Sequence, residues 1–164
     1  RAGQLQLGST AKVWVLADYL RVVEQLYHQR DSLERYQAGL RQLYARDNPY
    51  QNLNQRTDAE LEQSLVWWMD RYLGQHPQAS LEQVLDASLQ RRFSTAERTF
   101  YTGGHAYTPA EFDETKQIPP RPTLREATVA SINRVFVQVL EEIRDLEIAR
   151  LLVGTGSPSL PRAM

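Results

Sequence analysis

The chain contains no cysteine. That excludes a disulfide framework, a thiolate zinc site and a cysteine nucleophile, and it favours a reducing compartment, cytoplasm or organelle matrix. Lysine is nearly absent too: of the 19 basic residues only Lys12 and Lys116 are lysine, the rest being arginine. Arginine makes forked, planar contacts with carboxylates and phosphates that lysine does not, although a GC-rich coding sequence accounts for the bias more simply. No run approaches 18 successive apolar residues, so no transmembrane helix is expected, and the first residues do not read as a secretory leader. Net charge is only −1, which gives no general pull toward nucleic acid or an anionic membrane. The first residue is Arg1 rather than methionine, as expected of a fragment or of a product that has lost a targeting presequence.

What the chain has in quantity is helix punctuation. Five Ser/Thr-x-x-Glu/Gln boxes fall at Thr57–Glu60, Ser80–Gln83, Ser94–Glu97, Thr108–Glu111 and Thr123–Glu126. In each, the hydroxyl can accept the N–H of the third helical residue while the acid or amide reaches back to the cap's own N–H. The fold class expected is therefore all-α: an irregular helical bundle of one domain over residues 9–154, with a flexible lead-in at 1–8 and an irregular tail at 155–164.

The N-terminal helix carries one apolar seam at Tyr19, Val22, Leu26, Leu33, Tyr36, Leu40 and Leu43, and a neighbouring stripe at Val13, Leu16, Leu20, Val23 and Tyr27. The register favours one helix to about residue 45, but Asp31 with Glu34 could cap a second one, with a break near 30–31. Gly39 weakens the interior and would suit a close helix approach. Asp47-Asn48-Pro49 ends the element. Thr57 caps a helix with Leu61, Leu65, Trp68 and Tyr72 inward and Gly74 as its C-terminal cap. Ser80 starts another with Leu81, Val84, Leu85 and Leu89 inward, and Ser94 restarts a short helical turn to Tyr101. Residues 102–122 read as a Pro-rich extended strap, with a short helix at Thr108-Pro109 and stiff chain through Ile118-Pro119-Pro120-Arg121-Pro122. The last helix, about 124–153, runs from Thr123 to Gly154 with Val129, Ile132, Phe136, Val139, Ile143 and Leu146 on its main face. A second stripe, Val137, Leu140, Ile148 and Leu151, lies one residue's rotation away. A rod of about 30 residues spans about 45 Å, and two apolar faces imply more than one neighbour.

Chemistry is sparse. His28, His76 and His105 share no helical turn, and the acids Glu141, Glu142, Asp145 and Glu147 have no histidine among them, so they read as a solvated face rather than a metal site. Ser9-x-x-Lys12 lacks the scaffold and partner motifs of acyl-transfer enzymes. No phosphate loop or dinucleotide fingerprint is present, and Gly154-Thr155-Gly156-Ser157 follows a helix C-terminus, the wrong end for phosphate. No cofactor and no metal is expected. The most site-like stretch is Tyr101-Thr102-Gly103-Gly104-His105-Ala106-Tyr107, where His105, Tyr101 and Tyr107 could contact a ligand, with Glu111, Asp113 and Glu114 downstream; tyrosines pinning a turn to the core is the plainer reading. Of the adjacent pair Trp67-Trp68, Trp68 falls in the core seam and Trp67 on a flank, where it could anchor a partner, unless one broad core face takes both rings. Arg21, Arg30, Arg35, Arg41 and Arg46, interleaved with Tyr36 and Tyr44, could track a nucleic-acid backbone, but interspersed acids weaken the field and a salt-bridged helix surface is the simpler account.

These features point to a non-catalytic helical subunit or adaptor that binds a protein partner or itself, through Trp67 and the stripe Val137, Leu140, Ile148 and Leu151. The alternatives are a nucleic-acid-associated module using the arginine-rich first segment and a small ligand-binding or enzymatic bundle centred on His105.

Overall fold

The computed structural model describes residues 4–5, 8–45, 56–96, 100–102, 105–109 and 117–154. In chain order the elements are β1 (Gln4–Leu5), α1 (Ser9–His28), a 3-10 turn (Arg30–Ser32), α2 (Leu33–Leu43), α3 (Asp58–Leu61), α4 (Leu65–Gln75), α5 (Leu81–Ser88), β2 (Phe100–Thr102), β3 (His105–Pro109), α6 (Leu124–Ala130) and α7 (Asn133–Val153). The protein is mostly helical, as the periodicity indicates.

The N-terminal seam is buried along its whole length, from Tyr19 to Leu43. It is carried by two helices, not one. α1 ends at His28, where Gln29 N–H donates to both Gln25 O and Leu26 O, and a 3-10 turn leads into α2. Neither Asp31 nor Ser32 caps α2 through its side chain. The turn advances the chain so that Leu33 continues the face left by Leu26, which is why an apolar pattern cannot distinguish a bend here from a straight rod. Asp47 to Pro49 and the residues on to Gln55, expected as a loop, lie outside the described residues.

The helix expected from Thr57 to Gly74 is split. Thr57 Oγ1 accepts Glu60 N–H, but α3 stops at Leu61, and the chain restarts at Leu65 from the extended Ser64. The restart rotates the inner face of α4 to Leu65, Val66, Trp67, Met69 and Leu73. Trp68 and Tyr72 are left half-buried at its edge. Gly74 lies inside α4, which runs to Gln75, and is not its cap. In α5 both halves of the capping box form: Ser80 Oγ accepts Gln83 N–H at 3.2 Å and Gln83 Oε1 accepts Ser80 N–H at 2.9 Å. Val84 and Ser88 face the core, with Leu81, Leu85 and Leu89 half-buried.

Two expected helical starts are not helical. Ser94 Oγ accepts Ala96 N–H in a local turn, and the chain is extended by Phe100; Glu97 lies outside the described residues. Thr108 and Pro109 belong to β3, not to a helix; Glu111 also lies outside. β2 and β3 pair antiparallel with Thr102 opposite His105, and β1 adds a parallel edge through Gln4 opposite Thr108, so Gln4 and Leu5 are not a free lead-in. The proline segment does lie as a strap. Phe93 N–H donates to Pro122 O and Thr95 N–H to Pro120 O, at 3.0 and 3.1 Å, binding the strap to the chain that follows α5.

The closing rod is broken at Ser131, which takes the left-handed conformation at φ 54°. Ile132 N–H reaches back to Ala127 O, closing α6, and α7 begins at Asn133. Lys12 Nζ donates to Ser131 O at 2.8 Å and ties the corner to α1. The corner turns Val129, expected inside, out to solvent at 85% exposure. Ile132, Phe136, Val139, Ile143 and Leu146 remain buried, so the apolar repeat beyond the corner conceals it. α7 is the central helix, packed mainly on α2 and also on α1, which in turn covers α4 and α5. The tail from Thr155 lies outside the described residues.

Candidate functional site

Of the acids of α7 only Glu147 lies on a solvated face; Glu141, Glu142 and Asp145 do not. Glu141 and Asp145, one turn apart, share one side of the helix and are 5% and 3% exposed. Arg56, from the segment before α3, pairs with Glu141 and lies 3.8 Å from Asp145. Tyr44, just after α2, donates its hydroxyl to Asp145. Glu142, the next residue round, meets Arg91, which follows α5, fork to fork at 2.7 and 2.9 Å. Arg91 also donates to Gln63 O and to the Tyr19 hydroxyl, and Tyr19 donates to Ser88 O at 3.0 Å. Arg56 and Arg91, which the sequence pattern does not single out, neutralise these acids and allow their burial.

Burial governs the titration of this layer. Desolvation raises the Asp145 carboxyl above the usual carboxylate range, against the opposing pull of the Tyr44 hydrogen bond and of Arg56. Desolvation and the neighbouring Asp145 charge raise Tyr44, and desolvation raises Tyr19. Burial alone would lower Arg91, but Glu142 and Tyr19 more than offset it and hold the guanidinium above its ordinary value. A carboxylic acid raised in this way could in principle act on a substrate. Asp145 has no room to do so: the cavity it shares with Arg56 and Ser64 measures about 10 Å³, space for about one water.

A wider space adjoins this layer. A cleft of about 370 Å³ is bounded by Arg56, Glu60, Gln63, Arg91, Arg92, Phe93, Ser94, Arg121, Gln138 and Glu142. Two strips of chain form its rim. Arg92 bridges to Thr123, and Arg92 Nη1 donates to Arg121 O at 2.8 Å. Gln138 on α7 donates to Ser94 O and closes the far wall.

A third surface is apolar. α1 faces inward with Lys12, Val15, Tyr19, Val22 and Leu26. Opposite them, Trp14 is 72% exposed, Val13 is 66% exposed, and Ala17 is exposed beside them. Val13 was expected on an inner stripe. Trp14 lies on neither apolar stripe of α1, and that misfit was the available sign that the ring faces water.

The other anticipated residues are dispersed. Trp67 is buried under the Arg41 guanidinium, 5.2 Å from its ring, so a broad core face takes it and it is no exposed anchor. In the second stripe of α7, Val137 is buried, Ile148 half-buried, Leu140 marginally exposed and Leu151 81% exposed. The rod therefore does not present a continuous second apolar face. His105 is exposed at the start of β3; Tyr101 pairs with Ala106 across the hairpin and Tyr107 with Phe100. Gly103, Gly104, Glu111, Asp113 and Glu114 lie outside the described residues, as does Arg46. Tyr36 and Tyr44 are buried and offer no face to a base. Arg21 pairs with Asp18, and Arg30 lies over Tyr27. Among the described residues no set of three or more histidines and acids converges as a metal site, and no helix is long and apolar enough to cross a membrane.

No protein family, no characterised protein and no solved structure matches the chain at a meaningful level of similarity.

Proposed function

We propose that this protein is a non-catalytic helical module that holds a protein partner, or a second copy of itself, against the outer face of the first three turns of α1. The single supporting observation is Trp14, exposed beside Val13 and Ala17 on a helix whose opposite side is anchored in the core. Tryptophan is enriched among interface residues that carry binding energy. Covering most of such a ring is worth about 3 kcal/mol at about 25 cal/mol per Å². The helix presenting it is held by Tyr19, Val22, Val23 and Leu26, all buried, so the ring is offered from a rigid support. The proposed contact surface is therefore α1 rather than Trp67 or the second stripe of α7.

The test compares the native protein with Trp14→Glu. Sedimentation of the purified chain reads self-association, and isolation of the native complex reads a heterologous partner. The expected result is a complex that weakens by at least about tenfold in Trp14→Glu, with an unchanged unfolding midpoint. A complex that forms equally well with Trp14→Glu, or a chain that forms none, overturns the reading.

A further inference from the structure

The cleft beside the buried ionic layer holds four guanidinium groups, and they are not equivalent. Arg91 is bound to Glu142 by both forks, and Arg56 is paired with Glu141. Arg92 and Arg121 are exposed on adjoining strips of chain, where Arg92 Nη1 donates to the Arg121 carbonyl, and neither has a carboxylate partner among the described residues. Two cations without a carboxylate partner among the described residues therefore share one concave mouth, with two more cations whose partners lie on α7. Among the described residues Glu60 is the one further acid on the lining, and it is exposed. The Arg56 side chain is only 8% exposed, and its Nε is buried with no hydrogen-bond partner among the described residues.

We propose that this cleft is a binding site for a phosphate dianion, supplied as a small phosphomonoester or as free phosphate, held by Arg92 and Arg121 at the mouth. One carboxylate has two oxygens, and a single guanidinium fork already engages both. Two guanidinium groups lining one mouth suit a group with three acceptor oxygens, which a phosphate dianion provides. The volume of about 370 Å³ is near the lower end for small-molecule sites, enough for the phosphate and a short organic body. Phe93 supplies an apolar wall, and Gln63, Gln138 and Ser94 supply polar groups for hydroxyls on that body. Burying Arg91 and Glu142 as a pair keeps the floor rigid without adding net charge, so affinity rests on the rim.

Titration calorimetry on the full chain tests this, using glycerol 3-phosphate, inorganic phosphate, succinate and a single-stranded oligonucleotide as probes. The variants are Arg92→Gln and Arg121→Gln, alone and together. Both positions are exposed, so unfolding midpoints without probe should match the native chain. The expected result is saturable binding of one or both phosphate probes, with Kd below about 1 mM, weakened about tenfold by either substitution and lost in the double variant. Tighter binding of the ester than of the free ion assigns the organic body to the site, and equal binding assigns free phosphate. The proposal is overturned if neither phosphate probe saturates, if the double variant binds as well as the native chain, if succinate binds as tightly as phosphate, or if the oligonucleotide outcompetes both phosphate probes at the same residues.

Discussion

Gly39 on α2 lies so close to Ala149 on α7 that a methyl group at position 39 would come within 2.7 Å of the Ala149 carbonyl oxygen. The approach is backbone to side chain-free backbone, and it sets the distance between the two helices that share the largest packing surface. Helix propensity alone predicts that Gly39→Ala stabilises α2 by about 1 kcal/mol. Steric overlap predicts the reverse, because a carbonyl cannot rotate aside as a flexible side chain can. Gly39→Ala should therefore lower stability by about 1–3 kcal/mol, read as a shift in the urea midpoint. A gain in stability would mean that the helices separate freely.

Arg91 and Glu142 are both nearly withdrawn from water, at 5% and 9% side-chain exposure. Removing one partner leaves the other charge stranded. Arg91→Met should cost about 3–5 kcal/mol and should also release the Gln63 carbonyl, while the Tyr19 hydroxyl keeps its bond to Ser88 O. Arg91→Met with Glu142→Leu removes both charges, so the pair should recover most of the loss. Urea denaturation of the two single variants and the double variant measures the coupling; additive losses would show that the pair is not an interacting unit.

Legibility differed by kind of signal. The seam from Tyr19 to Leu43 could be read because a helix bend through one 3-10 turn preserves the face it interrupts. The same tolerance hid the corner at Ser131, since Ile132 resumes the apolar repeat immediately. The boxes at Thr57, Ser80 and Thr123 cap helices as expected. At Ser94 and Thr108 the same local pattern is overridden by pairing with distant chain: the strap takes the backbone donors of Phe93 and Thr95, and β1 pairs with Thr108 through Gln4. The acids at 141–145 misled because charge reads as exposure in a sequence. Their neutralising partners, Arg56 and Arg91, are 85 and 51 residues away, beyond the reach of any periodicity. The rim arginines meet for the same reason, since only the strap brings residue 121 beside residue 92.

The two tryptophans at positions 14 and 67 should separate cleanly in stability measurements. Trp67 is buried among α4's core residues, so Trp67→Ala should cost about 3–5 kcal/mol. Trp14 points to solvent, and Trp14→Ala should change stability by no more than about 0.5 kcal/mol. The fluorescence of Trp14 should be readily quenched by iodide, and Trp14→Phe should remove most of the quenchable signal. A large stability loss in Trp14→Ala would show that the ring is packed, and the α1 surface would then have no anchor.

Tyr19 and Tyr44 make the fold sensitive to alkali. Both hydroxyls are raised, first by burial, and Tyr44 also by Asp145. Below the ordinary tyrosine value near pH 10 each phenol is protonated in the folded and unfolded chain alike, and its contribution to stability is fully present. As pH rises past that value the unfolded chain loses the proton while the folded chain keeps it. Stability then falls by about 1.4 kcal/mol per pH unit for each tyrosine, until pH passes the folded value. Urea denaturation between pH 8 and 11 should show a plateau followed by this decline. Tyr44→Phe removes one titrating group, so its decline above pH 10 should be shallower by one tyrosine's share, whatever its stability at neutral pH. Equal slopes in the native chain and Tyr44→Phe would mean that Tyr44 ionises as readily folded as unfolded, and that the layer joining α2 to Asp145 is open to water.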